Sequence, residues 1–188
     1  MNYLNKFTQL SESAANSLYD LVKDMINKNT TNILEVGTYS GQATVKLCGA
    51  ANEKSQSVNV ISIDDNNDTF SPSAEESLRA SNFRNYSVQF GDLDKKFEEN
   101  IVKANIIYID RFHEEIDAKI EVIKKNIIVP TKVIFRNPKN SSDFPFDISE
   151  YSPEAKPRAR KKSNTVSENG SSDDTIKETP KENKKETT

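Results

Sequence analysis

The sequence predicts an α/β protein built on a doubly wound parallel sheet of five strands, and three observations carry that prediction. Over residues 31–136, short β-branched apolar runs alternate with segments of helical periodicity, the pattern of βαβ units. The stretch Asn32–Gly41, Asn-Ile-Leu-Glu-Val-Gly-Thr-Tyr-Ser-Gly, ends a buried strand in a glycine turn that opens into a helix. Successive expected strands then close on acidic residues, Asp64, Asp92 and Asp110. Right-handed crossovers bring such strand ends to one rim.

Composition sets the limits. The chain has 188 residues, enough for one domain with extensions. Only 34% are hydrophobic, and the deficit lies after Tyr151, where no aromatic residue remains. The expected organisation is an N-terminal helical segment over 1–30, an α/β domain over 31–150 and a disordered charged tail over 151–188. A net charge of -3 argues against a strongly basic nucleic-acid-binding body. The single cysteine, Cys48, excludes an intramolecular disulfide and falls on the apolar face of its helix, as a buried structural thiol would. Met-Asn-Tyr-Leu-Asn-Lys lacks the apolar core of a signal peptide, and no run approaches membrane-spanning length. A soluble cytoplasmic protein without a membrane partner is expected.

Each element has its own signal. Leu18, Leu21, Val22 and Met25 recur at helical spacing within Ser11–Asn27, with Ser11 or Ser13 as cap. Ile33, Leu34 and Val36 suit a buried strand. Gly37 and Gly41 bracket a turn that is either a plain connection or a ligand cradle, since glycine lets backbone approach a ligand and helix N–H groups face it. Ala43, Val45, Leu47 and Cys48 mark the following helix. Val58–Ile63 is the second strand, ending in Asp64-Asp65. An acid at that position can accept hydrogen bonds from ribose hydroxyls, and Asp64 is the better placed. The alternative is a solvated loop, or a weak cation site of Asp64, Asp65 and Asp68 with Asn66 and Asn67, although the run lacks the glycine and distal glutamate of a calcium loop. Pro72 and Ser73 open a helix reaching Asn82. Tyr86–Phe90 is the third strand, and Asp92 is a good N-cap for Leu93–Val102. Asn105–Ile109 is the fourth strand, closed by Asp110. A helix follows from Arg111 to about Asn126, with Ile116, Ile120 and Ile123 on one face. Thr131–Phe135 is the fifth strand, ending in Arg136-Asn137-Pro138.

The Glu-x-Gly-x-x-x-Gly spacing differs from the Gly-x-Gly-x-x-Gly of dinucleotide binders. With Glu35 inside the strand end, it resembles the first motif of class I S-adenosylmethionine-dependent methyltransferases. The resemblance covers about residues 30–137. It implies a Rossmann-like sheet, S-adenosylmethionine as cofactor and methyl transfer to an unidentified acceptor. The cofactor-binding residues implied are Glu35, Gly37, Thr38, Ser40 and Gly41 around the turn, Asp64 at the ribose and Asp92 at the adenine amino group. For Asp92, capping alone is the alternative. The segment from Asp110 resembles an Ile-Asp-Gly-x-His signature, with Arg111 and Phe112 replacing small residues. Asp110 and His113 are therefore the catalytic candidates. His113, the only histidine, would serve as base toward a hydroxyl acceptor, or is a helix-start residue satisfied by Glu114 or Asp117.

Departures from the family pattern point elsewhere. Relatives that use a divalent cation hold it at the ends of the fourth and fifth strands. Here Arg136 stands where an acid is often found, beside Asn137, and a guanidinium cannot ligate a cation. No metal is expected, and an Arg136–Asp110 ion pair becomes conceivable. The family's closing antiparallel hairpin has no room in Asp143–Ile148, a stretch broken by Pro145. A minimal five-strand version results, its fifth strand an exposed edge through which copies could associate. A non-catalytic binding or scaffolding protein that keeps the fold is the rival reading. The basic cluster Lys156–Lys162 offers a weak contact for an anionic partner, or is part of a solvated tail without aromatic interleaving.

Overall fold

The computed structural model describes residues 10–55, 57–65, 72–110, 115–137 and 139–154. Helices and strands alternate along the chain as α1 (Glu12–Met25), β1 (Asn32–Val36), α2 (Gln42–Lys54), β2 (Asn59–Asp64), α3 (Pro72–Ala80), β3 (Tyr86–Phe90), α4 (Leu93–Ile101), β4 (Ile106–Ile109), α5 (Ile116–Asn126), β5 (Thr131–Arg136) and β6 (Phe146–Tyr151). The strands form one sheet in the order β3-β2-β1-β4-β5-β6, with β1 through β5 parallel and β6 antiparallel to β5. Tyr151, expected to open the tail, is the last residue of β6; the tail beyond Glu154 with its Lys156–Lys162 cluster lies outside the described residues, as do Asn66, Asn67 and Asp68.

Strand alternation divides the core in two. Ile33, Val60, Ile106, Tyr108 and Ile134 face one side, beneath α1, α2 and Leu78 of α3. Leu34, Val36, Ile63, Ile107, Ile109 and Val133 face the other, beneath Phe97 and Ile101 of α4 and Ile123 of α5. Each fully buried large side chain contributes about 1.5–3 kcal/mol. Cys48 is buried in the first of these clusters, and burial pushes its thiol far up, which makes it a packing group.

Ser11 is the cap of α1, its hydroxyl accepting the Ala14 N–H at 3.0 Å. The stripe Ala14, Ala15, Leu18, Val22 and Met25 then buries α1 in the main body. Two of its serines hold the far end of the chain as well. Ser11 donates to the Ser142 carbonyl at 3.1 Å and Ser17 to the Asp143 carbonyl at 2.9 Å.

The five-strand expectation is corrected by β6. Pro145 does not break this strand; it stands just ahead of it, where its missing N–H removes no ladder bond. Its carbonyl accepts the Asn137 N–H at 2.7 Å and closes the return from β5. Phe146–Tyr151 then pairs with β5 from Arg136↔Phe146 to Thr131↔Tyr151. Phe146 is 3% exposed and packs edge-on against Tyr108. One strand of the anticipated hairpin is present, laid directly on β5. The expected open β5 edge is covered by β6, and among the described residues the outer strands of the sheet are β3 and β6.

Candidate active site

The sheet order reverses between β1 and β4, so their carboxyl ends diverge and leave a crevice, the usual ligand position of an open α/β sheet. The loop from β1 to α2 overhangs it. Gly37 has φ 98° and Gly41 φ 83°, values that a side chain at either position would strain. Between them Tyr39 also adopts a left-handed φ of 44°. Two bonds to β2 hold this shape: the Gly37 N–H donates to the Ile63 carbonyl at 2.9 Å, and the Tyr39 N–H donates to the Asp64 carboxylate at 3.0 Å. Gly41 caps α2 without a side chain, so the helix presents its leading N–H groups to the rim uncapped.

Beneath the loop lies a polar layer. Glu35, Ser62 and Tyr108 occupy the same register on adjacent strands and face α2. Glu35 is fully buried; its Oε2 accepts the Thr44 hydroxyl at 2.6 Å, while Oε1 has no partner among the described residues. Burial pushes the Glu35 carboxyl from its ordinary 4.5 up to about 8, with the neighbouring Ser62 hydroxyl and then that of Thr44 offsetting part of that rise. The Ser62 hydroxyl lies 2.6 Å from that of Thr38, joining the layer to the loop. Glu35 therefore sits under the cradle and shapes it from below. Thr44 and Ser62 were not among the sequence candidates; their signal is polarity at positions where α2 and β2 face inward.

Asp64 is 2% exposed and receives the Asp65 N–H at 2.7 Å as well as that of Tyr39. Asp110, at the end of β4, is 4% exposed and pairs with Arg136 of β5, Nη1 to Oδ1 at 3.3 Å. Burial raises the Asp110 carboxyl from 3.8 to about 6, against the lowering by Arg136. The Tyr39 hydroxyl donates to the Asp110 carbonyl at 3.4 Å, so Tyr39 bridges the ends of β1, β2 and β4, a role its sequence position did not disclose. Asp92 caps α4 by accepting the Lys95 N–H at 3.1 Å. Asn137 turns away from the rim and donates to Asp147 at 2.7 Å. His113 lies outside the described residues. The loop, Glu35, Asp64 and Asp110 thus converge, and Asp92 stands to the side at the end of β3. Among the described residues no group of three or more His, Cys, Asp or Glu side chains is placed to hold a metal ion. No helix among them is long and apolar enough to cross a membrane.

No family model matches the chain, and no curated protein matches it in sequence. Solved structures do match. The O-methyltransferase TomG from Streptomyces achromogenes, in complex with SAM, superposes with a TM-score of 0.56 at 15% identity, over 72% of this chain and 65% of that one. An O-methyltransferase from Bacillus cereus in complex with SAH gives 0.56 at 19% identity, over 72% and 66%. The chain has the class I methyltransferase fold. It spans slightly less than two thirds of the length of those two O-methyltransferases. An RNA methyltransferase from Salinibacter ruber, in complex with S-adenosyl-L-homocysteine, matches at 0.56 and 15% identity over 80% of this chain and 97% of its own. Within the methyltransferase fold, the residues present suit S-adenosylmethionine. Two left-handed glycines leave room for close backbone approach, α2 offers uncapped N–H groups, and Asp64 supplies a fixed acceptor beside them.

Proposed function

We propose that this chain binds S-adenosylmethionine at the Gly37–Gly41 loop and transfers its methyl group to an acceptor nucleophile. The observation that carries the reading is the bond from the Tyr39 N–H to Asp64, which locks the left-handed loop against the acidic end of β2. Gly37, Thr38, Ser40 and Gly41 would hold the cofactor's amino-acid portion through main-chain groups, and Asp64 the ribose hydroxyls. Glu35 acts from beneath as a positioning residue. Asp92, already a cap, has a second oxygen for the adenine amino group. When bound, the cofactor supplies an electrophilic methyl on a sulfonium. The chain's contribution is to hold acceptor and methyl in line and to exclude water. For a hydroxyl acceptor, His113 is the proposed base, since it follows Asp110 at the rim in sequence. Asp110, held by Arg136, is the second proposed catalytic residue.

A second reading, cofactor binding without transfer, draws support from the same Asp110–Arg136 pair, which engages the β4 carboxylate within the protein. Calorimetric titration with S-adenosylmethionine and S-adenosylhomocysteine tests both readings. Micromolar affinity, about −8 kcal/mol, is expected. No heat and no thermal shift at millimolar ligand removes both. Binding without methyl transfer to any hydroxyl, amine or RNA acceptor leaves the second.

A further inference from the structure

β4 and β5 begin at the end of the sheet away from the Gly37–Gly41 loop, and a separate cavity opens there. It holds about 360 Å³, within the range of small-molecule sites. Met25 at the end of α1, Ile106 and Val129 give it an apolar wall, and the first two are buried. Asn105 stands at the head of β4, where its carbonyl accepts the Lys132 N–H at 2.8 Å. Its side-chain Oδ1 accepts the Thr31 N–H at 2.8 Å, the Thr31 hydroxyl at 3.1 Å and the Asn32 N–H at 3.2 Å. Those bonds fix the amide, and its Nδ2 donates to no described residue.

The charged side chains on the cavity wall are Lys132 and Glu150, one of each sign. They stand directly opposite each other on β5 and β6, and so share one face of the sheet. Lys132 is half-buried and Glu150 exposed, yet neither makes an ion pair among the described residues. This pair of charges selects the ligand. A simple anion would be drawn to Lys132 and repelled by Glu150, and a simple cation the reverse. A small molecule that carries both charges satisfies both groups at once. We infer that this cavity binds an α-amino acid with an apolar side chain. Lys132 and the Asn105 amide hold its carboxylate, Glu150 its ammonium, and Met25, Ile106 and Val129 its side chain. None of these residues belongs to the crevice between the carboxyl ends of β1 and β4, so the site does not depend on the methyl-transfer reading. It opens to solvent at Glu150, and binding is weak and reversible.

Calorimetric titration of the full chain with L-leucine tests this, with a thermal-shift series alongside. Saturable binding at millimolar ligand or below is expected. Isocaproate lacks the ammonium and isopentylamine lacks the carboxylate, so each should bind roughly tenfold or more weakly. Lys132→Met and Glu150→Gln each remove one charge and should weaken L-leucine by a similar factor. Both should keep the melting temperature of the unmodified protein, because no ion pair is lost. Gly37→Val, at the other end of the sheet, should leave L-leucine binding intact. No heat and no thermal shift with L-leucine would mean that the two charges pair with each other across the ladder, and overturns the inference. So does equal binding of the truncated analogues, binding that either charge variant leaves intact, or binding that Gly37→Val removes.

Discussion

The Arg136 guanidinium reaches across from β5 and holds the Asp110 carboxylate at 3.3 Å, at the mouth of the crevice between β1 and β4. This pair stands at the fourth and fifth strand ends and fixes the electrostatics of the site.

A divalent cation in place of that contact would meet the guanidinium with a repulsion of roughly 4 kcal/mol, for about 8 Å and an effective dielectric near 20. Any methyl transfer should therefore survive chelation. Arg136→Asp should create magnesium dependence, detectable also as magnesium binding by calorimetry. Loss of transfer on chelation of the unmodified protein, restored by magnesium, would show that Asp110 serves as a ligand.

Removing one partner of the same pair tests its structural share. Arg136→Met leaves Asp110 buried and uncompensated, and should destabilise the protein by about 3 kcal/mol. The double change Arg136→Met with Asp110→Leu should recover much of that. A single variant with an unchanged urea midpoint would mean the pair contributes nothing.

Glu35 should give stability a distinctive pH dependence. Its folded value, about 8, lies above its ordinary 4.5, so the folded state binds more protons between them. Stability is then greatest below about 4.5 and falls as pH rises toward 8, by a contribution on the order of 4 kcal/mol. Asp110, raised from 3.8 to about 6, adds a slope of the same sign over its own window. Glu35→Gln keeps the acceptor for Thr44 and should flatten the decline toward pH 8. A wild-type midpoint that rises across the Glu35 window contradicts the assignment.

Gly37→Val should abolish cofactor binding while preserving the far-UV spectrum. At φ 98° a β-branched residue is strained by about 1–3 kcal/mol, and relief would twist the loop away from Asp64. Retained affinity would place the cofactor elsewhere.

Phe146→Ala should destabilise the fold by about 3–5 kcal/mol, because the ring is buried against Tyr108 where β6 docks. A loss below 1 kcal/mol, about the scale of an ordinary surface change, would mean β6 is dispensable.

Periodic apolar runs made the parallel part of the fold legible: Ile33–Val36, Val58–Ile63 and Ile106–Ile109 could bury both faces only as inner strands. The left-handed turn was legible because Gly37 and Gly41 have few other reasons to flank it. β6 was obscured by Pro145, whose effect depends on whether it falls within a strand or one residue before it. Tyr39, Thr44 and Ser62 were hidden for another reason. Their importance comes from partners 9 to 71 positions away, such as Thr44 with Glu35 and Tyr39 with Asp110, and no local pattern encodes such distances. Arg136 was visible as a departure from the family pattern, but its direction depended on register, which only the β4–β5 ladder supplies.

The bonds from Ser11 and Ser17 to the loop ahead of β6 join positions 131 and 126 residues apart. The first helix is completed only by nearly the last part of the folded body. Closing such a span carries an entropy cost of about 4 kcal/mol before its contacts form. Docking of β6 and α1 should therefore be a late, rate-limiting event in refolding, with the β1–β4 centre assembled beforehand. Refolding should slow as this closure is weakened, and a circular permutant that joins the two ends should fold faster than the natural order.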